Sequence, residues 1–509
     1  MAPSFKTTWI VIGIVLIAAF FRFYQLSAFP PGLYPDEAMN GNNALEVLHG
    51  ATEPKVFYPE NNGREGLFIN IQAYFLNFFM RETGNIEPWM LRVPSALFGV
   101  LTVLGVYFLT RELLRFSKKQ THPWIPLFAA FFTATSFWHI NFSRIGFRAI
   151  MAPFFLTWGL FFILMALRKM SAETKKQPVR LLPFFAGLVY GLGFHSYIAY
   201  RATPLLLFAV AAYILFKKYP WRIFLKFLTW FSLGFVLALT PLLIFFAEYP
   251  QDFLGRTSQI SIFSSPTPVI DLAKNIGITL GSFNVYGDGN WRHNIAGRPL
   301  LFFPVGVFFL LGIVLAVRCV SKKWRERNEF EFPLFISVSW LIVAALPVVV
   351  SNEGLPHALR SILMIPAVMI LAAIGSVWLY EHIKKVLSQF AYGTVLLRVG
   401  TMVLFVVLIL EPFRSYFITW GKNPNTADAF IQSDVKLADE LNILPRETQK
   451  YIIVEAKGTD VRGLPMPTQT VMFLTDTFLP SEQATKNIHY VLPQDKDKVP
   501  PGSFVRVLK

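Results

Sequence analysis

Runs of apolar residues long enough to cross a lipid bilayer recur along most of this chain. A membrane-spanning helix needs about 20 predominantly apolar residues, and several runs approach that length. The chain is 54% hydrophobic and only 15% charged, whereas the surface of a soluble protein of this size must be largely polar. We therefore predict an α-helical polytopic membrane protein with about eleven spans, at 8–27, 89–110, 123–141, 149–168, 181–198, 202–216, 224–246, 299–317, 332–350, 360–380 and 395–412.

The positive charge of the chain falls in every second connection between these runs. A net charge of +16 would suit a nucleic-acid partner, but this alternation is the positive-inside pattern of cytoplasmic loops, so we expect no nucleic acid. It predicts a multi-pass protein of the inner or plasma membrane with a cytoplasmic N-terminus and an extracytoplasmic C-terminus. The basic residues are Arg111, Arg115, Lys118 and Lys119; Arg168, Lys169, Lys175, Lys176 and Arg180; Lys217, Lys218 and Arg222; Arg318, Lys322, Lys323, Arg325 and Arg327; and Lys384 and Lys385.

Two predicted external loops, 28–88 and 247–298, are long, which is typical of functional loops. In the first, residues 36–49 read as a helix that Asp36 can cap and Gly50 can end. Residues 67–80 form an apolar stretch too short to span, which we interpret as a helix along the membrane surface.

The last 97 residues, 413–509, are more polar than residues 1–412. We expect residues 1–412 to form the transmembrane domain and 413–509 to form a small extracytoplasmic α+β domain. In it we predict a helix at about 425–442 and strands at "YIIVEA" and "TVMFLT".

The predicted topology brings polar residues from distant parts of the chain to the external side. A charge near the bilayer is costly and so indicates function. The candidates are Tyr34, Asp36, Glu37, Asn62, Arg64 and Glu65 of the first loop; Arg144 and Arg148; His195, Tyr197 and Arg201; Asp288, Arg292, His293 and Asn294; and His357 and Arg360.

This combination of acids and cations suits group transfer from a lipid phosphate. Arginine and histidine bind phosphate, and a carboxylate can accept a proton or hold a metal ion. We expect Arg360 and His357, with Arg201 or Arg148, to hold a phosphate. Taken singly, each residue has another interpretation. Asp36 can be a helix cap, and an arginine at a span end can reach for lipid headgroups.

Six motifs resemble those of the membrane-embedded C-type glycosyltransferases. They are "YPDEAMNG", "NNGREGLF", "SRIGFRAI", "YIAYRATP", "RHNIAGRP" and "PHALRS". The likeness covers about residues 8–412. It is to the branch of protein O-mannosyltransferases and lipid A aminoarabinose transferases, which includes bacterial members similar to glycosyltransferase family 39.

The resemblance implies transfer of a sugar, with inversion, from a polyprenyl-phosphate donor on the external face. It places the catalytic acid at Asp36, with Glu37 beside it and Glu65 as a second acidic position. The acceptor is left open among a lipid, a glycan and a protein. A divalent cation is also left open, as is the identity of any metal ligands.

Two other classes of protein remain as alternatives. A transporter or flippase for a lipid-linked or envelope substrate would place ionisable residues near the bilayer midplane, often in two related halves. The middles of these runs carry almost no charge, and the sequence shows no paired halves. A membrane scaffold would not need a cluster of phosphate-binding residue types.

Overall fold

The structure is a computed structural model of the chain, and it describes residues 5–117, 122–172, 181–253, 262, 265–321, 330–351 and 354–509. Nine of the basic residues that predict the cytoplasmic loops lie outside these ranges. They are Lys118, Lys119, Lys175, Lys176, Arg180, Lys322, Lys323, Arg325 and Arg327.

Helices dominate the described residues, as the apolar runs predict. Up to residue 413 the α-helices are α1 (Phe5–Phe23), α2 (Pro35–Leu48), α3 (Leu67–Thr83), α4 (Pro88–Arg115), α5 (Trp124–Thr135), α6 (Phe137–Phe142), α7 (Met151–Ser171), α8 (Leu181–Leu192), α9 (Pro204–Phe216), α10 (Trp221–Glu248), α11 (Pro268–Asn284), α12 (Phe303–Arg318), α13 (Glu331–Val349), α14 (Ile365–Leu387) and α15 (Gly393–Phe413). Short 3₁₀ segments precede several of them, at Arg148–Ile150, Gly193–His195, Ile198–Ala202 and Arg360–Met364.

Every predicted span overlaps at least one of these helices. Among the described residues, eight helical segments are long and apolar enough to cross a membrane. Three more apolar helices fall short of that length, at Trp124–Thr135, Leu181–His195 and Phe303–Arg318. The protein is therefore a multi-pass membrane protein, as predicted, although three of its predicted spans are shorter than expected.

The predicted span 123–141 is broken near its end. Helix α5 stops at Thr135, and Ser136 adopts an extended conformation before α6 begins. The last carbonyls of a helix have no partner within it, and the buried side chain of Arg22 donates to two of them, at Thr133 (3.2 Å) and Ala134 (3.1 Å). A cation from α1 thus stabilises a break that hydropathy did not reveal.

The first of the two long loops, which is predicted to be external, is structured throughout. It contains α2, a two-stranded antiparallel hairpin of β1 (Phe57–Tyr58) and β2 (Arg64–Glu65), and α3. The prediction that Asp36 caps α2 is wrong. Tyr34 occupies the cap without a side-chain bond, and Pro35 begins the helix. Asp36 instead lies in the first turn of the helix. Helix α2 ends at Leu48, and Gly50 follows with a φ of +70°.

The C-terminal residues form the predicted α+β unit with two errors. The single helix predicted at about 425–442 is two helices, separated where Ile431 adopts a φ of +43°, and one predicted strand is helical. A π-helical turn at Arg414–Trp420 leads into α16 (Pro424–Ala429) and α17 (Gln432–Ile443). "YIIVEA" forms a strand as predicted, but "TVMFLT" lies within a helix. The remaining elements are β3 (Lys450–Val454), β4 (Asp460–Val461), β5 (Leu464–Pro465), α18 (Thr468–Leu474), α19 (Pro480–Lys486), β6 (Ile488–Val491), a 3₁₀ segment at Pro493–Lys498 and β7 (Phe504–Leu508), with β3 parallel to and between β6 and β7.

The C-terminal unit packs directly on the first external loop. Its helix α18 lies against α2, where a Cβ atom on Gly41 would overlap the buried ring of Phe473. Asn42 donates to the side-chain oxygen of Gln469 at 2.9 Å. Thr470 donates to the carbonyl of Leu33 at 3.0 Å. Residues of both segments share one hydrophobic core. The predicted boundary at 412 therefore separates two parts of the chain that are joined by extensive packing.

Arg462 adds an ionic contact to this packing, which we call the C-terminal clamp. Its guanidinium lies 2.7 Å from Glu46 of α2 and 2.7 Å from Glu60 of the hairpin turn. Burial lowers the pKa of Arg462, but its hydrogen bonds to the two carboxylates outweigh burial and raise it. The clamp therefore ties α2, which carries Asp36, to the hairpin turn, which carries Asn61.

Candidate active site

Asp36 and Glu37 are adjacent in sequence but face different surroundings. Asp36 is partly exposed, and one of its oxygens accepts a hydrogen bond from the side chain of Asn61 at 2.6 Å. Glu37 is completely buried, with Oε2 lying 3.1 Å from Nε of Arg92. Successive residues of a helix point about 100° apart. Only Asp36 is thus presented to an open site.

Glu65 lies between two arginines from different parts of the chain. Its Oε2 is 2.8 Å from Nε of Arg148, at the start of the helical segment that leads into α7. Its Oε1 is 3.8 Å from the guanidinium of Arg201. Arg148 also lies over the ring of Tyr197, with 6.0 Å between the guanidinium carbon and the ring centroid. Two cations therefore share one carboxylate, which leaves a net positive charge at this point.

Arg292 lies over the ring of Tyr34, which is two residues before Asp36 in the chain. Its guanidinium carbon is 4.0 Å from the ring centroid, close enough for a cation–π interaction. Burial raises the pKa of Tyr34, and the charge of Asp36 raises it further. The phenol is therefore neutral and can donate a hydrogen bond beside the carboxylate.

Asp288, His293 and His357 form a buried cluster next to Arg292. Oδ2 of Asp288 lies 3.0 Å from Nδ1 of His293 and accepts the N–H of Ala358 at 2.8 Å. The rings of His293 and His357 are 4.9 Å apart. Burial lowers the pKa of both imidazoles, that of His357 to about 2, where the nearby charges of His293 and Arg360 act in the same direction. Both histidines are therefore neutral near pH 7.

Electrostatic contacts connect these groups into one site. The charge of Asp36 acts on Tyr34, Arg64 and His293. Burial and the charge of Arg148 together lower the pKa of Arg64 to about 10. Arg360 follows His357, donates its backbone N–H to Nδ1 of that ring at 3.3 Å, and directs its guanidinium to the hydroxyl of Ser351. Asn352 and Glu353, which precede the "PHALRS" motif, lie outside the described residues.

Five of the predicted site residues are placed away from the open site or are used within the fold. Arg64 binds the side chains of Asn40 and Asn43. Arg144 is buried and donates to the carbonyls of Phe21, Gln25 and Phe29. His195 lies 2.8 Å from the carbonyl of Ala238, and Asn294 donates to the carbonyls of Asp288 and Arg298. Asn62 is exposed in the hairpin turn, with a φ of +62°.

Two residues next to the site were missed by the sequence reasoning. Arg92 pairs with Glu37 and donates to the carbonyls of Pro30 and Gly32. It stands near the start of a predicted span, and an arginine there was a signal that a partner exists. Asn61, which holds Asp36, lies in a polar turn that carries no comparable signal.

The acids of the first loop do not fit a divalent cation. Glu37 is paired with Arg92, and Glu65 with Arg148 and Arg201. A guanidinium that occupies a carboxylate excludes a cation from the same oxygens by charge and by space. Asp36 alone supplies too few ligands, because Ca²⁺ and Mg²⁺ sites need several oxygens.

The chain matches the sequence model of the dolichyl-phosphate-mannose-protein mannosyltransferase family over residues 71–245. This match confirms the resemblance predicted from the motifs, although Asp36 lies outside it. No curated protein matches the sequence.

Solved structures share the fold at low sequence identity. The archaeal oligosaccharyltransferase AglB from Archaeoglobus fulgidus, in complex with an inhibitory peptide and a dolichol-phosphate, is 15% identical with a TM-score of 0.54, over 93% of this chain and 64% of that chain. ArnT from Cupriavidus metallidurans in the apo state is 14% identical with a TM-score of 0.53, over 92% of this chain and 85% of that chain. This chain therefore has the fold of the membrane-embedded C-type glycosyltransferases and spans less than two thirds of AglB.

Proposed function

We propose that this chain, which has the C-type glycosyltransferase fold, is an integral membrane glycosyltransferase that uses a polyprenyl-phosphate-linked monosaccharide as donor. The observation that carries this proposal is the position of one accessible carboxylate, Asp36, among cations contributed by three distant segments. Arg148, Arg292 and Arg360 come from separate connections that are predicted to be external. The charges of Asp36 and Arg292 both act on Tyr34, and those of Asp36 and Arg148 both act on Arg64. Arg360 acts on His357, whose ring lies 4.9 Å from that of His293. The family match over residues 71–245 supports the same activity.

Asp36 is the proposed base that activates the acceptor. Its partial exposure lets a hydroxyl reach the carboxylate, and the bond from Asn61 fixes its direction. The acceptor hydroxyl would give its proton to this carboxylate as its oxygen attacks the anomeric carbon.

The arginines at the mouth of the site are the proposed binders of the donor phosphate. The bond between the anomeric carbon and the phosphate oxygen breaks as the new bond forms on the opposite face, and the leaving polyprenyl phosphate carries away the electron pair. Arg148 and Arg201 share a single carboxylate, so a phosphate would find uncompensated positive charge there. His357 and Arg360 are the second proposed pair. Fixed donors of this kind stabilise the charge that develops on a leaving group.

The lipid part of the donor determines where the reaction takes place. A polyprenyl chain resides in the bilayer, and the site lies where the external ends of the predicted spans meet the first loop. We propose that this end faces the extracytoplasmic side of the inner or plasma membrane, as the basic residues predict. The acceptor is a lipid, a glycan or a protein. The dolichol-phosphate in the AglB complex supports a polyprenyl phosphate as the lipid part.

A transporter or flippase is not favoured. The fold is that of transferases, and the ionisable groups of the site gather at helix ends and in loops. The middles of the long helices contribute none of the site residues.

The test uses membranes that contain the full chain and a panel of undecaprenyl-phosphate monosaccharides with radiolabelled sugars. We expect one donor to pass its label to membrane or envelope material in the presence of the wild-type chain, and Asp36→Asn to abolish that transfer. Mass spectrometry of envelope glycans and lipids from a deletion strain should show the loss of the same sugar. Equal labelling with wild type and Asp36→Asn, and an unchanged envelope, would contradict the proposal.

A further inference from the structure

Three buried side chains from two separate loops converge next to the site. Asp288 and His293 lie between α11 and α12, and His357 lies before Arg360. One ligand atom from each of the three lies within 4.8 Å of the others, which is the only such group of three found among the described residues. A metal bound to nitrogen and oxygen at about 2.0–2.2 Å would bring these atoms slightly closer together.

Asp288 fixes both histidines before any ion is present. Its Oδ1 accepts the backbone N–H of Asn290 at 2.8 Å. Its Oδ2 accepts the N–H of Ala358, the residue after His357, and lies 3.0 Å from Nδ1 of His293. A metal held by Oδ2 of Asp288 and Nδ1 of His293 would take the place of the proton that these two atoms share. The cluster is therefore built in advance on backbone contacts that cross from one loop to the other.

We propose that the cation site of this protein is formed by Asp288, His293 and His357, and not by the acidic loop that the family resemblance suggested. The acids Glu37 and Glu65 are neutralised by arginines. Among the described residues, in contrast, no arginine lies within ion-pair distance of Asp288. Two imidazoles and one carboxylate select a borderline metal such as Zn²⁺. Mg²⁺ and Ca²⁺ prefer sites made of oxygen atoms.

The cluster offers three protein ligands. Three protein ligands with a fourth position open are typical of zinc sites that bind a further molecule. His293 lies within range of the charge of Asp36, and its neighbour Arg292 covers Tyr34. A cation bound here would add positive charge to the part of the site where arginines already favour the binding of an anion. The inference concerns metal binding and does not rest on the proposed transfer.

The experiment measures metal content and spectra of the purified full chain. After treatment with a chelator, the wild type should bind one Zn²⁺ per chain by elemental analysis. Co²⁺ should replace Zn²⁺ and give the visible absorption bands that are typical of Co²⁺ with a low coordination number. His293→Gln and His357→Gln should weaken Zn²⁺ binding at least tenfold, in line with the effect of removing ligands or their supports. His49→Gln is the control, because His49 lies 2.8 Å from Asp476 at the surface and should bind metal as wild type does.

A ligand replacement keeps the test decisive if the glutamine variants fail to fold. In a Cys319→Ser background, His357→Cys should bind Co²⁺ with a new thiolate-to-cobalt charge-transfer band in the ultraviolet. Absence of that band in a protein that binds Co²⁺ would overturn the assignment. So would a wild type without bound Zn²⁺ or Co²⁺ at micromolar concentrations, or binding that Glu65→Gln abolishes and His293→Gln does not.

Discussion

Glu37 and Arg92 form a fully buried ion pair, with Oε2 of the glutamate 3.1 Å from Nε of the arginine and neither side chain exposed. The same oxygen accepts the N–H of Gly146 at 2.7 Å. The pair thus joins the first external loop to the start of α4 and to the connection before α7. It explains why one of two adjacent acids is available for chemistry and the other is not.

Removing this pair should destabilise the fold. In Glu37→Ala the charge of Arg92 stays buried without its partner, which costs about 3–5 kcal/mol. We expect a clearly lower midpoint of thermal unfolding in detergent. Glu53→Ala, which removes an exposed acid of the same loop, should leave the midpoint nearly unchanged. Equal midpoints for the two variants would mean that Glu37 is not buried with Arg92.

Replacing the adjacent acid should affect turnover and leave stability intact. Asp36→Asn keeps an oxygen for the hydrogen bond with Asn61, so folding should be preserved. An amide cannot accept the proton of an acceptor hydroxyl, and loss of a general base lowers rates by about 10²–10⁴. The measurement is transfer of labelled sugar at saturating donor concentration. Near-normal turnover would leave Asp36 with a structural role and make Glu65 the next candidate.

Arg360 should contribute to the use of the donor. A charge-assisted hydrogen bond to phosphate is worth about 1.5–3 kcal/mol, so Arg360→Ala should lower kcat/KM for the donor about tenfold to a hundredfold. Arg360→Lys should restore only part of it, because the planar guanidinium fork is lost. Arg414→Ala is the matched control, since Arg414 is an exposed arginine at the end of a span. Unchanged kcat/KM in folded Arg360→Ala would assign Arg360 to lipid headgroups.

Hydropathy was enough to place the spans, because a helix that crosses the bilayer is apolar whether it faces lipid or the other helices. It could not place the break at Ser136, since the carbonyls that the break exposes are satisfied by Arg22, more than one hundred residues earlier in the chain. Local propensity also misassigned residues 470–475. "TVMFLT" is rich in strand-forming residues, but its side chains pack as a helix against α2, where tertiary contacts override propensity.

The residue types that meet at the candidate site could be chosen from the sequence, whereas its side of the membrane stays a prediction. Asp36, Glu65 and the arginines were found because charges near apolar runs are rare. The division between Asp36 and Glu37 was not predictable, because it depends on the direction in which the first turn of α2 faces Arg92. The clamp by Arg462 was also hidden, since it joins residues about four hundred positions apart in the sequence.

The packing of the C-terminal unit on α2 should matter for activity. In Gly41→Leu the new side chain would meet the ring of Phe473, and overpacking of this kind costs about 1–3 kcal/mol. We expect faster trypsin cleavage of the C-terminal residues and lower turnover, because α2 carries Asp36. Gly13→Leu is the control, because a Cβ at Gly13 meets no atom within 4 Å. Identical cleavage rates for the two variants would contradict this packing.

The clamp itself should weaken in acid. Burial raises the pKa of Glu60, but the hydrogen bond from Arg462 outweighs it and holds the pKa below its usual value. The contribution of this contact is therefore complete above about pH 4.3, the unfolded value, and is lost as the pH falls through the lower folded value. Trypsin cannot report at that pH, so pepsin cleavage of the C-terminal residues is the measurement. The rise in cleavage on acidification should be smaller in Arg462→Ala than in wild type, and an equal rise would exclude the contact.

The C-terminus should lie on the same side of the membrane as Asp36. Thr470 donates to the carbonyl of Leu33 at 3.0 Å, so the C-terminal unit cannot be across the bilayer from the first loop. Helix α7 runs from the site, next to Arg148, to Arg168, which pairs with Glu112 at the other end. Its 21 residues cover about 30 Å at 1.5 Å per residue.

Cys319, directly after α12, lies beside basic residues that predict the cytoplasmic side. In a Cys319→Ser background, a membrane-impermeant maleimide should label Lys509→Cys in intact cells and label Lys384→Cys only after permeabilisation. The wild-type Cys319 should behave like the second variant. If intact cells label Lys384→Cys and not Lys509→Cys, the orientation is the reverse of the predicted one. The site would then face the cytoplasm, contrary to the positive-inside rule.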